Sequence, residues 1–338
     1  MMAPKFTICI PSRNRGPIAL NQVQQTLPLI DSDWDILVLD NCSSTYRDEY
    51  RKIEEWSKAE PRLKYFRQSE NVQFPGNLLS CFHQVNSPYI QIVGDEDFSN
   101  PPVVRDALSV LDEFPEVGII RGSIGTIPGV QSRNLFNYPD QLLAAGAEAL
   151  SGFMLTTNYV SGVIYNRKLL SERGVIDRFA TGLKNNGMVA IYAHMYLDML
   201  IASVCNVVTS KEIICYEGEE EFGPPSLQDA ANNPAYSFGG RIEQFIAFRD
   251  VLRSACHSHE ESDPNLILNL YLKLCDKYAF MFVRDRYLHE FRNMDVKLLL
   301  NSFKSMALAA LDIAEFGHCK DLMRGEVEKI FQMAYLHL

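Results

Sequence analysis

Three short polar segments hold the side chains best suited to chemistry. Asp95-Glu96-Asp97 sets three carboxylates in a row behind Gly94. Carboxylate oxygens are hard donors, so a run of this kind can hold Mg2+ or Mn2+ while a bound anion and water complete the shell. Pro11-Ser12-Arg13-Asn14-Arg15 supplies two guanidiniums, whose planar forks match phosphate oxygens. Asp40-Asn41-Cys42-Ser43-Ser44 supplies a carboxylate and an amide. Each segment also has an ordinary reading. An acidic triplet is commonly a solvated turn, and Asp-Asn commonly bonds its own backbone in an Asx-turn.

Position separates these segments from ordinary turns, because each directly follows an apolar run. Phe6-Thr7-Ile8-Cys9-Ile10 precedes the first, Ile36-Leu37-Val38-Leu39 the second, and Tyr89-Ile90-Gln91-Ile92-Val93 the third. Val117-Gly118-Ile119-Ile120 is a fourth such run. Near-continuous apolar strands suit a parallel sheet covered on both faces. Helical stretches lie between them. Gly16-Pro17 opens one, and Thr45 with Asp48 predicts a capping box ahead of a helix from Glu49 to Lys58. Pro75 starts another, carrying Leu78, Leu79, Phe82 and Val85, and Pro101-Pro102 precedes a fourth. The alternation predicts a doubly wound α/β sheet, with the polar loops on one rim at a topological switch point.

Beyond about residue 125 the pattern loosens. A strand is expected within Met154 to Ile164, with Asn166 capping a short helix through Leu170. Met188 to Val204 reads as a long apolar helix, and Val207-Val208-Thr209 and Ile213-Ile214-Cys215 as two short β runs. Glu217 to Pro234 reads as a loop, and from Ser237 onward the chain reads as helical.

Composition limits the function classes. The 338 residues are enough for roughly two domains. A net charge of -10 argues against a nucleic-acid binder, which needs a basic footprint. None of the eight cysteines forms a CxxC, which suits a reducing compartment. Met1 to Arg15 lacks the long apolar stretch of a signal peptide and no run approaches a membrane span, so the expected location is cytoplasmic.

The order of the motifs resembles the family 2 glycosyltransferases with the GT-A fold. Ile10-Pro11-Ser12-Arg13-Asn14-Arg15, Val38-Leu39-Asp40-Asn41-Cys42-Ser43, the Asn71 to Asn77 stretch and Gly94-Asp95-Glu96-Asp97 follow in the family's sequence. Ser161-Gly162-Val163-Ile164-Tyr165-Asn166-Arg167 looks most like the abequosyltransferase-like branch. The resemblance covers roughly residues 5 to 215. It implies a GT-A-type doubly wound mixed sheet flanked by helices over 1–235, followed by a C-terminal helical region over 236–338.

It also implies roles. The enzyme would move a sugar from a nucleotide-sugar donor to a saccharide or lipid-linked saccharide hydroxyl, in cell-surface polysaccharide synthesis. Asp40 would accept a hydrogen bond from the base, and the Pro11-Ser12 loop would wall that pocket. Arg13 or Arg15 would reach the diphosphate. Asn41, Asn71, Asn77 and Glu96 would complete the donor site, and Asp95 and Asp97 would anchor Mn2+ or Mg2+. In an extended segment Glu96 would point away from its two neighbours.

The acceptor side departs from the pattern. The family's Glu-Asp pair beyond the acidic motif is missing, which leaves inverting and retaining mechanisms both open. Tyr192-Ala193-His194 and Asp198 stand there instead. His194 and Asp198 lie four apart on one helical face, either as a base with its orienting partner or as the polar side of a buried helix. Two other runs read as solvated loops: Cys256-His257-Ser258-His259-Glu260, whose alternative is a zinc site, and Glu219-Glu220-Glu221 before Gly223-Pro224-Pro225, whose alternative is a flap over the acceptor. The apolar Tyr278 to Val283 stretch packs on the catalytic domain or, alternatively, makes peripheral membrane contact. Two further functions compete: a sugar nucleotidyltransferase, disfavoured because the first loop has no glycine before Gly16, and a non-catalytic saccharide-binding subunit.

Overall fold

The computed structural model describes residues 4–127, 137–153, 159–185, 193–218, 237–257, 264–285, 295–309 and 320–337. Within them, Phe6–Ser12 (β1), Trp34–Asp40 (β2) and Tyr89–Ile92 (β4) are the apolar runs foreseen from sequence. Leu63–Arg67 (β3), Phe98–Ser99 (β5), Val117–Thr126 (β6), Gln141–Leu143 (β7), Val163–Asn166 (β8) and Asn206–Glu217 (β9) complete one sheet. Its order is β3-β2-β1-β4-β8-β6-β9-β5, with β7 on β9. β1 to β4 are parallel to their neighbours within this group, whereas β8 runs antiparallel to both β4 and β6. The sheet is therefore mixed.

This order places the site. From β1 the chain moves outward to β2 and β3, then returns past β1 to lay down β4 on the other side. The crevice outside the carboxyl ends of β1 and β4 is the switch point, where open α/β sheets bind their ligands.

Alternate residues of each strand point to opposite faces. Ile8, Ile10, Ile36 and Val38 pack against Gly16–Thr26 (α1), Arg47–Ala59 (α2) and Pro101–Glu113 (α4). Cys9, Leu37, Leu39, Ile90 and Ile92 pack on the other face with Gln73–His83 (α3), Ala147–Phe153 (α5), Val175–Asn185 (α7) and Ala193–Ala202 (α8). That second core continues without a break into Phe238–His257 (α9), Pro264–Asp285 (α10), Val296–Ala309 (α11) and Lys320–Leu336 (α12). Each fully buried Leu, Ile, Val or Phe contributes about 1.5–3 kcal/mol, so this shared layer ties the helices firmly to the sheet.

Several local expectations change. The helix after β2 begins at Arg47, and its N-cap is Tyr46 in a left-handed conformation with no side-chain cap. Thr45 makes no capping box because its backbone N–H is spent on Asn14. Val207–Thr209 and Ile213–Cys215 belong to one strand, β9, which runs beside β6 with register shifts at its polar middle. The fourth apolar run extends to Thr126, and the strand near residue 160 begins only at Val163. Asn166 does cap Arg167–Glu172 (α6), its side chain accepting from Leu169 N–H, a contact worth about 1 kcal/mol. The long apolar helix is described as Ala193–Ala202, and residues 186–192 lie outside the described residues. Also outside them are the domain boundary at 235, the Glu219–Pro225 segment and the side chains of the Cys256–Glu260 run. Among the described residues no helix is long and apolar enough to cross a membrane.

Candidate active site at the sheet switch point

The three polar segments meet at the predicted rim, joined by hydrogen bonds that sequence alone does not show. Asn41 N–H donates to Ser12 O at 2.9 Å, extending the β1–β2 pairing by one step. Asn14 adopts a left-handed backbone, φ 57°, which turns its side chain onto the second loop. There Asn14 Oδ1 accepts from the N–H groups of Ser44 at 2.8 Å and Thr45 at 3.2 Å. Ser12 Oγ donates to Asp95 Oδ2 at 2.7 Å, linking β1 to the acidic segment.

The acidic segment is a turn, not an extended strand: Asp97 N–H donates to Gly94 O at 3.0 Å. Gln22 of α1 holds this turn from behind, its single amide nitrogen donating to Gly94 O at 3.0 Å and Asp97 O at 2.7 Å. The turn brings its three carboxylates close together but gives them different partners. Asp95 meets Ser12 and Arg15 Nη1, the latter at 3.2 Å, and Arg15 Nη2 lies 3.2 Å from Glu96. Asp97 Oδ1 accepts from Tyr159 OH at 2.5 Å and Gly218 N–H at 3.3 Å, and its Oδ2 accepts from Ser161 Oγ at 2.6 Å. Glu96 is the most exposed of the three, at 19% against 4% for Asp95 and 2% for Asp97.

Charge is out of balance here. Three adjacent carboxylates face one guanidinium, Arg15. Burial pushes the Asp97 carboxyl up to about 7, with Glu96 adding to the effect. Burial also raises Asp95, helped by Glu96 and opposed by Arg15. Hard oxygen donors with uncompensated negative charge fit a divalent cation such as Mg2+ or Mn2+. No cluster of three or more His, Cys, Asp or Glu forms a closed metal cage among the described residues. A cation here would depend on oxygens from a bound substrate.

The other expected donor-site residues are placed as follows. Pro11 is half-buried beside Leu39, and Arg13 is exposed, with no hydrogen bond or ion pair to another described residue. Asp40 is fully buried. Its Oδ1 accepts from Ser43 N–H at 2.8 Å and its Oδ2 from Tyr65 OH at 2.8 Å, with Arg47 and Arg67 at 3.4 and 3.3 Å. Asn41 clamps the next helix start, accepting from Val72 N–H and donating to Gln73 O. Asn71 caps Gln73 N–H, and buried Asn77 donates to Leu39 O.

On α8, His194 is buried and meets the Phe74 ring edge-on at 5.9 Å. The Asp198 carboxylate turns to Arg121 at 3.3 Å and Tyr165 OH at 3.0 Å. Burial raises its pKa to about 6, against the pull of Arg121. Sequence reading missed Asn14, Gln22, Tyr159, Arg121 and Gly218. Only Asn14 and Ser161 carried a signal, as members of the Pro11–Arg15 and Ser161-Gly162 motifs.

Residues 7–172 match the model of glycosyl transferase family 2, a span that holds all three loops and the Ser161 motif. The sheet region is thus similar to glycosyl transferase family 2. Among solved structures, S. aureus TarS 1-349 aligns with a TM-score of 0.53 at 14% identity, over 97% of this chain and 92% of that chain. The same protein in complex with UDP gives 0.53 at 13% identity, over 89% and 92%. A mannosyltransferase from Pyrobaculum calidifontis, solved with GDP-Man and Mn2+, gives 0.46 at 14% identity, over 99% and 88%. No curated protein matches the sequence significantly. At these identities the likeness to TarS establishes the fold, including the helices that follow the family 2 region.

Proposed function

We propose that this chain is a metal-dependent glycosyltransferase that binds a nucleoside diphosphate sugar across the switch point and transfers the sugar to a saccharide hydroxyl. The observation that carries the reading is the convergence of the β1, β2 and β4 loops on a buried acidic turn with excess negative charge. A fold relative, TarS, has been solved with UDP and with UDP-GlcNAc, which supports a nucleotide-sugar donor.

The base would lie against Pro11 and the Asp40 loop, where Arg47 and Arg67 hold the Asp40 carboxylate in place. Arg15 is committed to Asp95 and Glu96, so exposed Arg13 is the better candidate to meet the diphosphate. Asp95 and Asp97 would hold Mn2+ or Mg2+. When bound, the ion supplies Lewis-acid stabilisation of the departing nucleoside diphosphate. Ser12, Tyr159 and Ser161 fix the carboxylate orientations through their hydroxyls, a supporting shell of the kind that sets ligand geometry. On the acceptor side His194 is the candidate base, beside the half-exposed Phe74 ring. The acceptor class proposed is a saccharide or lipid-linked saccharide of a cell-surface polysaccharide.

Asp97→Asn removes a charge while keeping the shape. It should lower donor hydrolysis and transfer by at least about 100-fold, since cation stabilisation of a leaving group supplies several kcal/mol. Unchanged hydrolysis in a folded variant would remove the cation from the proposal.

A further inference from the structure

Donor binding as described makes no use of the buried Arg121–Asp198 pair. Arg121, on β6, is 1% exposed, and Asp198, on α8, is 6% exposed. Their separation is 3.3 Å, and Tyr165 OH donates to the other carboxylate oxygen at 3.0 Å. Arg121 also lies over the Phe153 ring, 5.3 Å from its centroid, and its Nε has no hydrogen-bond partner. Taking two charges and an unsatisfied N–H out of water costs more than packing apolar side chains of the same size. Stability is thus a poor reason for this pair.

The guanidinium has a second contact. Arg121 Nη1 donates to the backbone oxygen of Tyr159 at 3.2 Å. Tyr159 in turn directs its hydroxyl to Asp97 Oδ1 at 2.5 Å. A planar guanidinium fixes the directions of its N–H groups relative to one another, so Asp198 on one side sets where Tyr159 sits on the other. The contacts run unbroken from α8, through β6, to the acidic turn.

We propose that Asp198 and Arg121 are positioning residues for Asp97, acting through Tyr159, and that Asp198 is not part of a proton-transfer pair with His194. The assignment rests on reading Asp97 as a cation ligand, but its geometric half can be measured without metal.

Amide hydrogen exchange on the full-length, metal-free protein tests the geometry. Tyr159→Phe removes one hydroxyl and leaves the ion pair untouched, whereas Arg121→Met removes the guanidinium. Both should speed exchange at the Asp97 and Gly218 amides by about ten-fold or more while leaving α2 unchanged. Mn2+ titration followed by electron paramagnetic resonance should show about ten-fold weaker binding in each, the size expected for a group that orients a ligand. The double variant should be no weaker than the poorer single one, because both changes cut the same connection. Exchange within two-fold of wild type in both single variants would overturn the proposal, as would additive losses. So would an Asp198→Asn variant that lost turnover with Mn2+ affinity and exchange unchanged. Wild-type protein that bound no Mn2+ would defeat the cation reading, and the exchange result would still decide the relay.

Discussion

Asn14 shapes the site without touching an acidic residue. Its left-handed backbone is a conformation that Asn tolerates better than most side chains, and its amide oxygen gathers two N–H groups of the second loop. Asn14→Gly keeps the backbone freedom and loses the bonds, while Asn14→Ala loses both. The alanine variant should therefore be less stable than the glycine variant by about 1 kcal/mol, the cost of a left-handed β-carbon. Urea unfolding of the two variants checks this, and equal midpoints would contradict it. Gly218 is constrained by space. A β-carbon there would lie 1.8 Å from the backbone oxygen of Glu96. Gly218→Ala must move the acidic turn or the end of β9, so its amide should leave Asp97 and donor hydrolysis should fall at least about ten-fold. Gly174→Ala is the control. Its glycine has positive φ, unlike Gly218, but nothing within 4 Å of the added carbon, so it should lose only about 1 kcal/mol of stability and no activity.

Among the elements, α8 carries a titratable group into the core. The Asp198 carboxyl is raised by burial to about 6 from 3.8, so between pH 4 and 6 the folded chain binds this proton more tightly than the unfolded chain. Stability from this group is present below about pH 4 and lost as pH rises through 6. Relative to Asp198→Asn, the wild type should lose about 2.4 kcal/mol between pH 4 and pH 7. Denaturant unfolding of both chains at the two pH values measures this, and a constant difference would contradict it.

The elements also show what the sequence could reveal. β1, β2 and β4 were legible because buried parallel strands are apolar throughout and stop at polar loops. β3 was not, since Leu63–Arg67 is an edge strand with one buried residue and charged neighbours. The polar Ser210–Glu212 stretch hid the continuity of β9 where its register with β6 shifts. Gln22 and Tyr159 reach the acidic turn from 75 and 62 residues away, and no local pattern announces such a contact. The paired carboxylates and the serines Ser12 and Ser161 stood in readable motifs, but Gln22 and Tyr159 did not.

In the whole molecule, the boundary expected at 235 separates sequence patterns more clearly than cores. Phe245, Tyr271, Tyr278 and Phe303 lie in the same apolar cluster as Leu39, Ile92 and Leu200. Shared burial of this kind couples unfolding, so calorimetry should record one cooperative transition. Two separate transitions would show that the helices and the sheet are independent units. The central claim is that the rim of this sheet binds a nucleoside diphosphate through a cation on Asp95 and Asp97. Thermal unfolding of the full chain with UDP, GDP, CDP or ADP, in Mn2+ and then in excess chelator, tests it most directly. At about 100 times its Kd, a bound nucleotide adds about 2.7 kcal/mol. At least one nucleotide should therefore raise the Tm by several degrees in Mn2+, and the shift should vanish with chelator and in Asp97→Asn. If no nucleotide moves the Tm in the presence of Mn2+, the account is wrong.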